Sequence, residues 1–293
     1  CNPPGFGTGW EPYPVSLRIV NLVKWVLRKN KLSSNAKQSL AIQLRWLSKR
    51  LEVHLLGNHL FSNAKALVFG GLFFEGKEAD GWLEKGFRIL SEQIPVQILD
   101  DGGHFELSTM YHALAFEDLL DLINVTKCFS ARLNEEQNNQ VSSWYDVAEK
   151  MYFWLHTMCH PDGEISFFND STFDVAPSIS ELDTYAKRLG IVTLETTDKK
   201  LILLKDSGYI RIKNDSLLAL LDVAKIGCKN YIKVLNGLQA AIQSLIICLL
   251  WNQIGLSGKL TLSHYNSFSI ASSNRNLSLP VLPLREMTKR TNP

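Results

Sequence analysis

The feature that most limits the possible folds of this chain is a change of hydrophobic pattern near residue 195. Before it, apolar residues recur every three or four positions, as they do on one face of an α-helix. The first such series is Val15, Ile19, Leu22, Val23 and Val26. After it, short apolar runs are separated by turn-forming residues such as Lys205-Asp-Ser-Gly208. This spacing predicts antiparallel hairpins, so we expect a helical domain over 1–195 and a β domain over 196–293.

Six segments before residue 195 carry the helical pattern, and short connections join them. Gly57 is predicted to end the second helix, and Asn58 to cap the third. Pro95 is predicted to end the fourth helix, because proline lacks the N–H that the next turn needs. The fifth helix covers about 108–125, and the sixth stops before Pro161. An array of helical hairpins without a repeat of fixed length is the expected architecture.

Composition excludes several functional classes. The chain is 45% apolar and 20% charged, which is typical of a globular protein, and its formal net charge of +2 gives no reason to expect nucleic acid binding. Five scattered cysteines without a CxxC pair argue against a disulfide framework or a zinc knuckle. The apolar run 244–251 is too short for a membrane span, which needs about 20 residues. Because the chain starts at Cys1 and not at methionine, we expect a missing native N-terminus, with a mature lipoprotein as the alternative.

The densest group of proton-transfer side chains lies within residues 100–112. Its members are Asp100, Asp101, His104, Glu106, Tyr111 and His112. Gly102-Gly103 allows the backbone to bend there, and Ser108 stands at the N-cap position of the following apolar segment. Tyr111 and His112 are therefore predicted to lie in the first turn of the fifth helix. Groups of these types can move protons during catalysis.

Four groups of motifs resemble the N-terminal region of the heparinase II/III-like family, in the expected order over about 1–225. They are Gly9-Trp-Glu-Pro-Tyr-Pro14 with Ser16-Leu-Arg-Ile-Val-Asn21, Gly57-Asn-His-Leu60 with Asn63-Ala-Lys-Ala-Leu67, Asp101-Gly-Gly-His-Phe-Glu106 with Met110-Tyr-His112, and His160-Pro-Asp-Gly-Glu164 with Phe168-Asn-Asp170. Any one of them alone would be a weak signal. The resemblance implies an incomplete (α/α) toroid followed by an antiparallel β-sandwich.

The same resemblance implies a polysaccharide lyase that performs β-elimination on a uronate-containing acidic polysaccharide. Asn58 and His59 match the residues that neutralise the uronate carboxylate, and Tyr111 matches the tyrosine that acts as acid and, in some members, also as base. His59 and Tyr111 are thus the candidate catalytic residues and Asn58 a candidate substrate-binding residue. His104, Glu106 and His112 are further candidates for substrate binding, with support of the local turn as their alternative role.

The C-terminal part departs from the family pattern. Family members add a histidine from the sandwich, and several hold a structural zinc there, but His264 is the sole histidine after Cys228 and has no family motif around it. We therefore expect no cofactor and no metal site, and a β domain that is family-like only to about residue 227. One hypothesis is that the reading frame is disturbed near residue 228, leaving a truncated or aberrant sandwich. Sequencing the source DNA across this point would test it.

The expected partner is an acidic polysaccharide, and the resemblance implies a link to bacterial surface polysaccharide. Neither nucleic acid binding nor a membrane span is expected. A family-like protein would be located in the periplasm or the cell envelope. One alternative is a catalytically inactive protein that binds or assembles glycans. The other is a glycoside hydrolase on a similar toroid, which would need two carboxylates across the cleft. Asp101 and Glu106 are close in sequence, and no convincing second partner is visible.

Overall fold

The computed structural model describes residues 3–55, 57–192, 198–214, 217–224, 258–262 and 268–272, with only the backbone described for Leu217 and for the last two segments. Within these residues, seven α-helices precede five β-strands. The helices are α1 (Pro12–Leu27), α2 (Ser34–Ser48), α3 (Gly57–Phe73), α4 (Lys77–Gln97), α5 (Thr109–Cys128), α6 (Glu135–Thr157) and α7 (Ile179–Leu189). None of the described helices combines the length and the apolar character that crossing a membrane requires. The predicted order, helices followed by an antiparallel sheet, is confirmed.

The six predicted helices are present, and α7 was missed. Its buried face consists of Ile179, Leu182, Ala186 and Leu189. The helix begins with a capping box, in which the Glu181 N–H donates to Ser178 Oγ (3.3 Å) and the Ser178 N–H donates to Glu181 Oε2 (3.0 Å). The Ser-x-x-Glu spacing that predicts such a cap was therefore available in the sequence.

Two predictions about residues near the start of α3 are wrong. Gly57 does not end α2, which stops at Ser48, but is the first residue of α3 and has a φ of 53°. Asn58 consequently lies inside the first turn of α3 and is not its N-cap residue. Glycine tolerates positive φ at either end of a helix, so the residue type alone does not distinguish an end from a start.

Pro95 lies inside α4 and does not end it. The Ile98 N–H still donates to the Ile94 carbonyl at 3.0 Å, so the helix continues to Gln97. Pro95 is exposed and belongs to the last turn. One missing N–H at that position removes a single backbone hydrogen bond and leaves the preceding turns intact.

The chain divides into two compact units, each built from several segments. The first contains Cys1–Leu99, Leu114–Glu149 and Asp183–Val192, and the second contains Asp100–Ala113, Lys150–Leu182 and Thr193–Pro293. Both α5 and α6 contribute residues to both units. The predicted domain boundary at 195/196 falls outside the described residues and stays a prediction, as does the proposed break near residue 228.

In the first unit, α3 is buried along almost its whole length. Glycines allow it to approach α4 closely. A Cβ atom at Gly71 would lie 2.7 Å from the Leu83 backbone nitrogen, and one at Gly86 would lie 2.9 Å from the Ala64 carbonyl oxygen. Both distances are shorter than real Cβ contacts, so the α3–α4 packing requires glycine at these two positions.

A cluster of charged side chains is also buried in the first unit. Lys65 on α3 donates to Asp118 Oδ1 (2.6 Å) and to Asp121 Oδ2, both on α5, and Lys24 on α1 also contacts Asp121. The Tyr185 hydroxyl donates to Asp121 Oδ1 at 3.0 Å. Burial opposes charge on Lys65, but the two aspartates outweigh it and raise the pKa of its ammonium. The cluster therefore joins α1, α3, α5 and α7 through ionised groups.

The second unit contains a five-stranded sheet in the order β1–β2–β3–β4–β5. The strands are β1 (Leu201–Leu204), β2 (Tyr209–Lys213), β3 (Leu217–Asp222), β4 (Gly258–Leu262) and β5 (Phe268–Ser272). Neighbouring strands are antiparallel except for β3 and β4, which run parallel. The first hairpin closes with Leu204 opposite Tyr209, around the turn predicted at residues 205–208. The hairpin prediction is thus confirmed.

The core of the second unit lies where α6 meets the first three strands. Trp154 in the last turn of α6 and Met158 just after that helix pack with Phe168 and with alternate residues of the sheet. The sheet residues in this cluster are Ile202, Leu204, Tyr209, Leu218 and Leu220. On β1 the other two residues, Leu201 and Leu203, are exposed, which is the period of two that a half-buried strand requires.

Candidate functional site

The first turn of α3 carries Asn58 and His59, both half-buried. The turn begins at Gly57, whose carbonyl oxygen accepts a hydrogen bond from Gln97 Nε2 at 2.8 Å. The first N–H groups of a helix have no partner within the helix, and the helix dipole places partial positive charge there. This turn can therefore bind an anion such as a carboxylate.

Glu52 holds the His59 ring from the connection between α2 and α3. Glu52 Oε1 lies 3.2 Å from His59 Nδ1, and the Tyr13 ring stacks on the imidazole with a centroid distance of 4.5 Å. With Nδ1 occupied by Glu52, Nε2 is the nitrogen of His59 that can reach a ligand. No local pattern indicates this partner, because Glu52 lies in an irregular segment without periodicity.

Glu52 is itself fixed by the buried Asn63. The Asn63 amide donates to Glu52 Oε2 at 3.1 Å, and its side-chain oxygen accepts the Glu52 backbone N–H at 2.9 Å. The same amide also donates to Ser16 Oγ at 3.1 Å. Glu52 is only 7% exposed. The position of the His59 ring therefore depends on hydrogen bonds that extend back to α1.

In the second unit, Asp101 organises the turn that precedes α5. Its Oδ1 accepts the Gly103 N–H (3.1 Å), and its Oδ2 accepts the backbone N–H groups of Asp206 (2.9 Å) and Ser207 (2.7 Å) and the Ser207 hydroxyl (2.9 Å). Gly102 has a φ of 89°, and a Cβ there would lie 2.3 Å from the Lys150 carbonyl oxygen. The carboxylate thus joins this turn to the first β-hairpin, and the close approach requires glycine.

His104 and His112 are buried beside each other in this turn, with exposures of 1% and 0%. His112 Nε2 lies 3.0 Å from the Met151 carbonyl oxygen, and the His104 backbone N–H points at His112 Nδ1 from 3.3 Å. These contacts assign the proton to Nε2, so His112 is a neutral ring that links the turn to α6. Burial lowers the pKa of His104 to about 4 and that of His112 to about 3.

Hydroxyl groups cap the first turn of α5. Ser108 Oγ accepts the Tyr111 N–H (3.3 Å), which confirms the predicted N-cap. Ser171 Oγ accepts the Met110 N–H (3.3 Å) and lies 3.0 Å from Ser108 Oγ. Tyr111 lies in this turn as predicted and is half-buried, and His112 follows it. Ser171 was not predicted, since it is distant in sequence and lies in an irregular segment.

The carbonyl group of Leu107, just before this cap, accepts two hydrogen bonds. They come from the Tyr209 hydroxyl (2.6 Å) and from Asn169 Nδ2 (2.7 Å), and Asn169 Nδ2 also contacts the Tyr209 hydroxyl (3.1 Å). Leu107 has a φ of 57°, a conformation that side chains other than glycine rarely adopt. Two strong donors hold the chain in this conformation at the point where it enters α5.

The structure thus forms two groups of candidate residues, each within its own unit. Asn58 and His59 lie together in the first unit with Glu52, and Tyr111 lies in the second unit one turn from Ser108. Glu106, half-buried in the turn before α5, belongs to the second group. That the two groups meet around one substrate stays a prediction, as do the individual roles of these residues.

The described strands do not fit the structural zinc that the family resemblance implies. Zinc sites in proteins are built mainly from histidine and cysteine, and none of the five strands contains either residue. His264 lies outside the described residues. In the described part of the chain, no three His, Cys, Asp or Glu side chains cluster closely enough to hold a metal ion. The expectation of no cofactor stays a prediction.

Comparison with known proteins identifies the family. The family model described as the heparinase II/III N-terminus matches residues 10–188, more than half of the 293 residues. This chain belongs to that family. The match includes Asn58, His59, Tyr111 and the turn that precedes α5.

The relatives with similar sequences include proteins named heparin-sulfate lyase. The protein from Bacteroides stercoris is 32% identical over 126 residues, which are 41% of this chain and 18% of that protein. The protein from Bacteroides thetaiotaomicron is 30% identical over 180 residues, or 56% of this chain and 25% of that protein. The chain therefore spans a quarter or less of these relatives.

A solved structure shares the fold. The crystal structure of heparinase III superposes with a TM-score of 0.57 at 24% identity and covers 73% of this chain and 37% of the other. This likeness supports the heparinase II/III fold class, a helical region followed by strands.

Proposed function

We propose that this chain is a polysaccharide lyase-like protein that performs β-elimination on a uronate-containing acidic polysaccharide. The observation that carries the proposal is the first turn of α3, where His59 is held by Glu52 beside Asn58. Family membership and two relatives named heparin-sulfate lyase support the same class of reaction.

The first task of β-elimination is to neutralise the carboxylate at C5 of the uronate, which makes the C5 proton more acidic. A carboxylate bound at the start of α3 would meet the positive end of the helix dipole. The Asn58 amide would donate a hydrogen bond to it. His59 would donate a second from Nε2 in its imidazolium form, because Nδ1–H already faces the Glu52 carboxylate. Such charge-assisted bonds are stronger than neutral ones. Glu52 contributes by keeping the His59 ring in one orientation, so that little of this interaction is lost to reorganisation.

The second task is proton transfer. The C5–H and C4–O4 bonds break, a C4–C5 double bond forms, and the departing O4 takes up a proton. We assign the protonation of O4 to the Tyr111 hydroxyl. If Tyr111 also removes the C5 proton, one proton enters and one leaves this residue in each cycle. The first turn of α5 suits this role, since its dipole favours transient negative charge there.

A glycan-binding protein without catalysis is the second candidate. The observation in its favour is that His264 is the sole histidine after Cys228, although family members add a histidine from the β domain. A glycoside hydrolase has less support. It needs two carboxyl groups available to the substrate, and Asp101 already accepts four hydrogen bonds within the protein.

The test is an assay for the unsaturated uronate product, followed by its ultraviolet absorbance over a panel of acidic polysaccharides. We expect product with the unmodified chain and a loss of at least about a hundredfold in rate with Tyr111→Phe, the typical contribution of a general acid or base. Tyr145→Phe is the matched control, since Tyr145 is also a half-buried tyrosine on a helix. Binding without product would favour the glycan-binding candidate, and new reducing ends without unsaturation would favour the hydrolase.

A further inference from the structure

A groove of about 800 Å³ lies in the first unit, between the end of α2, the connection that follows it and α4. Its apolar lining includes Leu51 and Ile89, and its polar lining includes Lys49, Lys85, Arg88 and Glu92. The volume falls in the range of pockets that bind small ligands. None of the residues to which a role was assigned above lines this groove.

The groove is predominantly basic. Lys49, Lys85 and Arg88 contribute three positive charges, and Glu92 contributes one negative charge. Lys49 and Arg88 are exposed, and Lys85 is half-buried. A concave surface with charges of one sign concentrates ligands of the opposite sign, even when the net charge of the protein is small. An anion is therefore the ligand that this groove favours.

One of the three cations is held in place. Lys85 Nζ donates a hydrogen bond to the carbonyl oxygen of Ser48, the last residue of α2. Two further N–H groups of the ammonium remain for other acceptors. Leu51 and Ile89 supply an apolar surface between the charges, which suits the C–H faces of a sugar ring.

The groove is close in the chain to the first turn of α3. Leu51 and Val53 line it, whereas Glu52 between them is buried and contacts His59. The three-residue segment 51–53 thus separates the groove from the proposed carboxylate-binding residues. A glycan chain that carries several anionic groups could contact both sides of this segment.

We propose that this groove binds sulfate or carboxylate groups of an acidic glycan chain, as a binding site separate from Asn58 and His59. Lys49, Lys85 and Arg88 supply the cationic donors. Nucleic acid fits less well, because its recognition uses an extended basic surface and this groove is a single concave site. The inference goes beyond the proposed lyase activity, since binding in the groove requires no elimination.

Equilibrium binding of fluorescently labelled heparin octasaccharide to the full chain tests this site. We expect Lys49→Ala with Arg88→Ala to weaken the affinity about tenfold, as expected for two solvent-exposed ionic contacts. The matched control is Arg28→Ala with Lys37→Ala, which removes the same two charges from exposed positions outside the groove and should change the affinity less than about twofold. Lys49→Arg with Arg88→Lys retains both charges and should bind like the unmodified chain.

A parallel titration with a hyaluronan octasaccharide, which has carboxylates and no sulfates, identifies the anionic group. Tenfold weakening with both probes assigns the groove to carboxylates, and weakening with heparin alone assigns it to sulfates. Three results would overturn the proposal. The groove and control variants could lose the same affinity, or the chain could bind neither octasaccharide. Duplex DNA of the same charge could also compete as well as heparin does. If the groove variant binds more weakly but the unmodified chain forms no unsaturated product, the binding site is supported and the lyase proposal fails. If product forms but the groove variant binds normally, only the groove proposal is rejected.

Discussion

The two units differ in the kind of interaction that holds each of them together. In the first unit, ion pairs join α1, α3 and α5, and their members are Lys24, Lys65, Asp118 and Asp121. In the second unit, hydrogen bonds of hydroxyl, imidazole and amide groups join the start of α5 to its surroundings. Each network includes residues of a helix whose first turn carries a proposed functional residue. Buried charges stabilise only while every partner is present and ionised. Neutral hydrogen bonds contribute less each, but they depend on geometry and not on ionic strength. The two units should therefore respond differently to mutation and to pH.

The largest expected effect is that of Lys65→Met in the first unit. Among the described residues, removing the ammonium leaves the buried Asp121 with Lys24 as its one cationic partner. Breaking a buried pair in this way typically destabilises by about 3–5 kcal/mol. Urea unfolding, with hydrogen exchange to locate the loss, measures the effect. The exposed Lys37→Met should change stability by less than about 0.5 kcal/mol. Equal midpoints for the two variants would show that the charged cluster does not stabilise this unit.

A second prediction concerns acidification between pH 6.5 and pH 4. Burial lowers the pKa of His104 to about 4 and of His112 to about 3, so in the folded state both rings are neutral down to about pH 5. When unfolded, they take up protons below about pH 6.5. Since the unfolded state binds more protons, stability falls as pH is lowered, by about 2–4 kcal/mol near pH 5. Lys65 and Lys24 lower the pKa of Asp121 despite its burial, so its contribution is lost only below about pH 4.

Hydrogen exchange at pH 7 and pH 5, corrected for intrinsic rates, separates the two responses. From pH 7 to pH 5, the protection of backbone amides against exchange should fall in the second unit and persist in the first. His112→Gln should flatten this pH dependence, whereas His54→Gln, at an exposed position, should leave it unchanged. Parallel loss of protection in both units would contradict the assignment of the acid response to the buried histidines.

Tyr209→Phe tests the neutral network itself. The change removes one of the two donors to the Leu107 carbonyl and one partner of Asn169, at an expected cost of about 1–2 kcal/mol. Thermal unfolding of the variant should be compared with that of Tyr145→Phe, which should be nearly neutral. If the two variants unfold at the same temperature, the Leu107 carbonyl is not held by Tyr209 in solution.

The smallest effect is expected at the cap of α5. Ser108→Ala should destabilise by about 1 kcal/mol, the usual effect of losing an N-cap serine. Ser171→Ala should have a similar effect because Ser171 accepts the Met110 N–H. The double variant should lose less than the sum, since the two hydroxyls also contact each other. Strict additivity in chemical unfolding would indicate that the caps act independently.

Local patterns predicted those parts of the molecule that depend on residues near in sequence. The six helical faces, the first β-hairpins, the Ser108 cap and the position of Tyr111 in its first turn were all predicted. The predictions that helices end at Gly57 and Pro95 were wrong, because glycine and proline are each compatible with more than one position in a helix. Helix α7 was missed although its capping box is visible in the sequence.

The candidate site was predicted less completely, and the omissions have one cause. Asn58, His59 and Tyr111 were named from motif resemblance, but their supporting residues Glu52 and Ser171 were not. Both lie in irregular segments, and both act on residues that the chain brings near only after folding. Neither periodicity nor spacing records such contacts.

Taken alone, the sequence determined six of the helices and the strands over 201–222 that follow them, because hydrophobic periodicity and capping are properties of neighbouring residues. It also determined the family, through four motifs in a fixed order. Only the tertiary structure decided that the Asp101 and His112 side chains form hydrogen bonds with other parts of the protein. The same holds for the orientation of His59 by Glu52. It also holds for the groove that Lys49, Lys85 and Arg88 share. The reason is physical: burial and hydrogen bonding depend on which distant segments pack together, and a local pattern leaves that open.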